Sequence, residues 1–133
     1  MARDRRVIVS TEGGGELAAV EAGSLWSRGV GLMLRRKVPH ALVLPRCRAV
    51  HAMGVVVPLD VAFYREGAAG AVVLEVRRLV PMVGVRWSWR ASGVIEAAAG
   101  AFAELGIAAG SEIAFSFEPK ASSVGSTPAD AAI

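Results

Sequence analysis

The amino-acid sequence predicts a mainly β protein, a single-domain β-sandwich or barrel with two short helices, on three observations. Apolar runs are short, rich in β-branched or aromatic residues, and cut by Gly or Pro, as in all-β domains. Only two segments carry helix signals. The 133 residues, 53% hydrophobic and 20% charged, suit one compact core, and neither a linker nor an internal repeat divides them.

Residues 6–10 are β-branched and 17–21 return as a second apolar run, with Glu12-Gly13-Gly14-Gly15-Glu16 between them. Three successive glycines favour a turn with positive φ, so residues 6–21 read as a hairpin. The glycine run is no phosphate cradle, because it lacks the Gly-Lys-Ser/Thr ending and opens no helix. Ser24 can cap a helix through Leu34, in which Trp26, Val30 and Met33 fall at i, i+4 and i+7 on one apolar stripe. Gly29 and Gly31 each weaken that helix by about 1 kcal/mol relative to Ala, so packing must hold it.

Strands are expected over 41–44, 49–53, 55–57 and 60–64, with Pro45 and Pro58 marking edges or bends. Residues 65–70 read as a hairpin loop. Residues 71–80 are the longest strand, with Val72, Leu74 and Val76 on one face and Glu75 and Arg77 on the other. Residues 81–93 look irregular and carry Trp87 and Trp89. A strand over 93–97 leads to an alanine-rich helix over 98–105, which Gly106 stops. A last strand over 112–117 alternates Ile113, Phe115 and Phe117. The domain thus spans 1–117, and 118–133, small, polar and proline-containing, form a loose tail.

A lone cysteine, Cys47, excludes an intrachain disulfide framework. The N-terminal apolar run Val7-Ile8-Val9 is too short for a signal-peptide core, and no stretch reaches the roughly 20 apolar residues of a membrane span. A cytoplasmic location is expected. The formal charge of +3 is unevenly placed: no acid lies between Glu21 and Asp60, where Arg28, Arg35, Arg36, Lys37, Arg46 and Arg48 occur. Such a segment can meet anions. Nucleic acid is not expected, since no helix-turn-helix, zinc-finger or RNA-binding motif accompanies the charge.

Three ordered blocks resemble a known family. The first is Ser24-Leu25-Trp26-Ser27-Arg28-Gly29-Val30-Gly31-Leu32-Met33. The second comprises Leu44-Pro45-Arg46-Cys47, Val50-His51 and Pro58-Leu59-Asp60-Val61-Ala62-Phe63. The third comprises Val94-Ile95-Glu96, Gly100, Leu105-Gly106-Ile107 and Gly110. Over about residues 16–117 the chain resembles the prokaryotic family called domain of unknown function 192. The resemblance implies a compact β-sandwich of jelly-roll-like or barrel character and singles out Trp26, Gly31, Met33, Pro58 and Glu96 as core motif positions. The family has no established activity. The chain departs from its pattern at Ala52, Val55 and Ser111, where threonine, methionine and aspartate are usual, so a site built on those side chains is altered here.

Candidate site residues follow from the polar positions. Cys47 and His51, if on one strand, stand about 13 Å apart, too far to share an ion. A structural zinc needs four ligands where the chain offers one Cys and two His, so neither a metal nor a cofactor is expected. Arg28 and Asp60 suit an Arg–carboxylate bridge tying the first helix to the sheet, Asp60 accepting from Arg28 or from nearby backbone. Alternatively Arg28 grips an anion beside His51. Trp26 reads as core, whereas Trp87 and Trp89 stay open between rim residues and a stacking platform for a base or sugar. The leading function is a non-enzymatic binding module that contacts a protein partner or small anionic ligand across residues 28–51. The alternative is a hydrolase-like enzyme using Cys47, His51 and Asp60 with Arg28 as anion holder. A pocket gathering those four side chains would favour the enzyme.

Overall fold

The computed structural model describes residues 5–21, 41–51, 58–80 and 85–117, with residues 49–51 and 85 described by backbone alone. Its strands in chain order are β1 (Arg5–Thr11), β2 (Glu16–Glu21), β3 (Ala41–Pro45), β4 (Ala49–His51), β5 (Leu59–Gly67), β6 (Gly70–Leu79), β7 (Val85–Trp87), β8 (Gly93–Ala98) and β9 (Glu112–Phe117). A short helix, α1 (Ala101–Glu104), lies between β8 and β9. Seven strands close one mixed sheet into a barrel in the order β1-β2-β3-β8-β5-β6-β9, with β9 pairing back onto β1. Every neighbouring pair is antiparallel except β2 and β3. Strands β4 and β7 pair separately as a two-stranded arm. The predicted first helix (24–34), the strand over 55–57 and the tail from 118 lie outside the described residues.

Alternation along each strand sends one set of side chains into the barrel and the other onto its outer wall. Val7, Val9, Ala19, Ala41, Val43, Ala62, Tyr64, Val73, Ile95, Ala97 and Ile113 fill the interior. The many alanines are what let seven strands close around Tyr64 and Phe102. A second buried cluster, with Leu42, Leu44, Leu59, Val61, Phe63, Leu79 and Val94 at its centre, covers the outer wall of β3, β8, β5 and β6. Ala91 and Cys47, from the connections flanking the arm, pack onto it. Strands β3 and β8 and residues 59–64 of β5 are therefore buried on both faces, which explains their near-continuous apolar runs.

The predicted hairpin is present: Thr11 Oγ1 accepts from the Gly15 N–H at 2.9 Å, and Gly14 takes φ 93°. Strand β6 is the longest, as expected, but its faces differ from strict alternation. The register slips between Phe63 and Tyr64, which pair with Glu75 and Val73, leaving Leu74 as a bulge. Val76 consequently packs on the interior while Leu74 packs on the outer cluster. The loop expected over 65–70 shrinks to a tight turn, because β5 runs on to Gly67 and β6 starts at Gly70. Part of the segment read as irregular is ordered as β7.

The helix expected over 98–105 is only one turn long, since β8 holds its ladder to Ala98 and Gly100 turns the chain at φ 90°. Its predicted stop is observed in full. Gly106 adopts φ 74°, the Ile107 N–H donates to Phe102 C=O at 2.8 Å, and the Gly106 N–H donates to Ala103 C=O at 3.1 Å. This is a Schellman ending, and its hydrophobic pair, Phe102 with Ile107, plugs the barrel interior. Among the described residues no helix is long and apolar enough to cross a membrane.

Candidate anion-binding site

At one end of the barrel the chain leaves β3, passes Arg46-Cys47-Arg48 and enters the arm. There it meets the end of β5 and the connection from β7 to β8. Backbone bonds knit these three segments together. Arg46 N–H donates to Ser92 C=O at 2.7 Å, Ser92 N–H to Tyr64 C=O at 2.7 Å, and Ser88 N–H to Arg48 C=O at 2.8 Å. The Glu66 N–H donates to Ser92 Oγ at 2.9 Å. Between them lies a cavity of about 400 Å³ lined by Arg46, Arg48, Glu66, Ala91 and Ser92. The Arg46 and Arg48 side chains are exposed.

Arg46 is the one non-glycine residue of the described chain with positive φ, at 60°. A left-handed L-residue costs about 1–2 kcal/mol, and such strain persists where the surroundings impose it. Here the Ser92 carbonyl fixes the Arg46 N–H, so the backbone is held while the guanidinium is displayed. Next to it, Ser88 to Ala91 form a turn closed by Ala91 N–H to Ser88 C=O at 3.2 Å. Arg65 Nη1 clamps this turn by donating to Arg90 C=O at 3.1 Å.

Asp60 lies elsewhere. It shares the face of Ala62 and Tyr64, is buried, and sits where β5 meets the entry to α1. Its Oδ1 accepts from Arg78 Nε at 2.5 Å and its Oδ2 from the Gly100 N–H at 2.8 Å. The backbone partner expected for Asp60 is thus present, and its arginine among the described residues is Arg78, which sits opposite in the β5–β6 register. Cys47 packs against the outer-wall cluster, on the other face of the sheet from Asp60. Of the remaining candidates, Arg28, Trp26, Gly31 and Met33 fall outside the described residues, and His51 is described only as the last residue of β4. Pro58 is exposed just before β5. Because Asp60 bridges two strands and the helix entry with charge-assisted bonds, Asp60→Asn should lower unfolding free energy by about 2 kcal/mol. Urea denaturation measures this, and an unchanged midpoint would deny Asp60 its structural role.

Glu96 sits on the outer wall between its cross-strand neighbours Leu42 and Val61. It is 8% exposed, and no hydrogen-bond or ion-pair partner stands beside it among the described residues. Burial raises its pKa from 4.5 to about 7. No group of three His, Cys, Asp or Glu suited to a metal occurs among the described residues.

The family model described as DUF192, "Uncharacterized ACR, COG1430", matches residues 7–115. The chain belongs to the DUF192 family. No curated protein matches it. Solved structures share the fold of this DUF192 chain. One, from Sinorhizobium meliloti 1021 and described as a "putative transcription regulator", superposes with a TM-score of 0.69 at 24% identity, over 87% of this chain and 95% of its own. Another, a protein of unknown function from Novosphingobium aromaticivorans DSM 12444, gives 0.67 at 21% identity, over 81% and 82%. At such identities the likeness is one of fold. Ser111 closes the turn before β9: its Oγ accepts from the Ala108 N–H at 2.9 Å and donates to the Gly106 C=O at 3.4 Å.

Sequence reasoning singled out Arg46 and Arg48 within the basic segment but missed Arg65, Glu66, Arg90 and Ser92. A signal was present. Between Glu75 and Glu96 the chain holds Arg77, Arg78, Arg86 and Arg90 and no acid, a second basic stretch that folds against the first.

Proposed function

We propose that this DUF192 protein is a non-enzymatic binding module for a small anionic ligand, held in the cavity between Arg46 and Arg48. The observation that carries the reading is Arg46 itself, an arginine kept in a left-handed conformation at the mouth of a cavity that a second arginine and Ser92 also line. Two guanidinium groups against one carboxylate, Glu66, favour a negatively charged guest. Ser92 supports the site from behind, its carbonyl on the Arg46 N–H and its hydroxyl on the Glu66 N–H. The hydrolase alternative has less support, because Cys47 and Asp60 belong to opposite faces of the sheet.

The test separates ligand binding from folding. Arg46→Gly relieves the left-handed backbone and should stabilise the protein by about 1 kcal/mol. The same change removes a charge-assisted contact and should weaken binding of inorganic phosphate or pyrophosphate about tenfold. Melting curves and calorimetric titration measure the two effects. A variant that binds these anions as well as the parent would remove Arg46 from the site.

A further inference from the structure

The arm adds something that anion binding does not use. Trp87 is 56% exposed and Trp89 is 75% exposed, although an indole is among the side chains that gain most from burial. Trp89 and Arg90 are the two central residues of the turn closed by Ser88 and Ala91, so both project from a clamped loop. That turn leads straight into Ala91 and Ser92 of the anion cavity. Trp87 lines a second cavity of about 290 Å³ with Glu75, Arg77 and Arg86. The two tryptophans are thus flanked by arginines along Arg86-Trp87-Ser88-Trp89-Arg90, with no acid in the run.

Resting on the anion-binding reading, we infer that the guest is a nucleotide unit, its phosphate on Arg46 and Arg48 and its base stacked on Trp89. Stacking on an exposed indole beside arginines is the sequence-tolerant way in which proteins hold bases. The second cavity sets Trp87 beside Arg86 and Arg77, the latter paired with Glu75 at 2.7 Å, where the next unit of a strand would lie. Other anionic guests use less of the surface. An acidic peptide would satisfy the arginines and leave both indoles in water. A bilayer would take the indoles, but Glu66 and Glu75 stand in the two linings, where a carboxylate repels anionic headgroups and can accept hydrogen bonds from a discrete ligand. The absence of a known nucleic-acid-binding motif is compatible with this, since stacking and phosphate contacts need no groove-reading element.

The full chain is titrated at low salt with pyrophosphate, ADP, a short oligothymidylate and vesicles containing anionic lipid, following heat and tryptophan fluorescence. ADP should bind at least tenfold more tightly than pyrophosphate and quench fluorescence. Trp89→Ala should remove that excess while leaving pyrophosphate affinity and the melting curve unchanged, the side chain being on the surface. Tighter binding of the oligothymidylate than of ADP assigns a single strand, and equal or weaker binding assigns a free nucleotide. Equal affinities for ADP and pyrophosphate, or an ADP affinity indifferent to Trp89→Ala, overturn the base site and leave the anion site standing. Binding to vesicles without any response to ADP overturns it in favour of a membrane surface. If no anion binds, the anion reading fails as well.

Discussion

Replacing Glu96 with glutamine should stabilise the protein at pH 8 and make little difference at pH 4. The carboxyl is buried in the outer-wall cluster without a partner among the described residues, and desolvation raises its pKa from 4.5 to about 7. Below about pH 4.5 it is protonated in both folded and unfolded chains, and its contribution is at its most favourable. Between 4.5 and 7 the unfolded chain releases the proton while the folded one retains it, so stability falls as pH rises. Above 7 both are ionised and the loss is complete. At 1.36 kcal/mol per pKa unit, that loss is about 3 kcal/mol. Glutamine keeps the shape and abolishes the titration, so the parent and Glu96→Gln should diverge progressively over that window. Denaturation at several pH values measures the difference. A stability difference that does not change with pH would show that Glu96 is ionised with ease in the folded protein.

An even more localised effect is expected at Gly93. It pairs with Tyr64 on β5 and with Pro45 on β3, and the Tyr64 ring lies over its Cα. A Cβ there would stand 2.6 Å from Tyr64 Cζ and 2.9 Å from the Leu44 carbonyl oxygen, closer still to the Tyr64 hydroxyl. Neither neighbour can yield cheaply. Tyr64 is fully buried, with its ring against Phe115 at 5.0 Å between centroids, and Leu44 is held in the β3–β8 ladder. Gly93→Ala should therefore destabilise by about 3 kcal/mol, the upper part of the overpacking range. Trimming the ring in a Tyr64→Leu background should make the same alanine cost far less, and the double-mutant cycle reports the coupling. A Gly93→Ala protein as stable as the parent would mean that the ring does not press on the strand.

How much of this was legible in the sequence follows from how local each feature is. The β1–β2 hairpin, the alternation of β9 and the Gly106 helix stop were readable because a few adjacent residues decide them. The bulge at Leu74 was not, since it arises from the register between two strands and no residue announces it. The helix before Gly106 came out too long because Ala98 and Ala99 favour a helix, whereas pairing with β5 carries β8 on to Ala98. Away from the site, Asp60 was recognisable as a polar residue in an apolar run, but Arg78 becomes its partner only through the β5–β6 pairing. Arg46 looked like one cation among many. Its left-handed backbone depends on Ser92, far along the chain, and so could not be seen before the fold was.

The ring is sealed where β9 meets β1, the last described strand against the first. Until β9 has been synthesised, β1 and β6 each present an unpaired edge, so the nascent chain passes through an open sheet able to capture another strand. Sealing also requires the most distant segments of the described chain to meet, which makes it an entropically slow, late step. Arg5 lies 3.9 Å over the Phe117 ring, placing the two ends of the barrel chain side by side. A circular permutant that joins them and opens the chain at the exposed Ala68–Ala69 turn would turn this seam into a local hairpin while preserving every strand register.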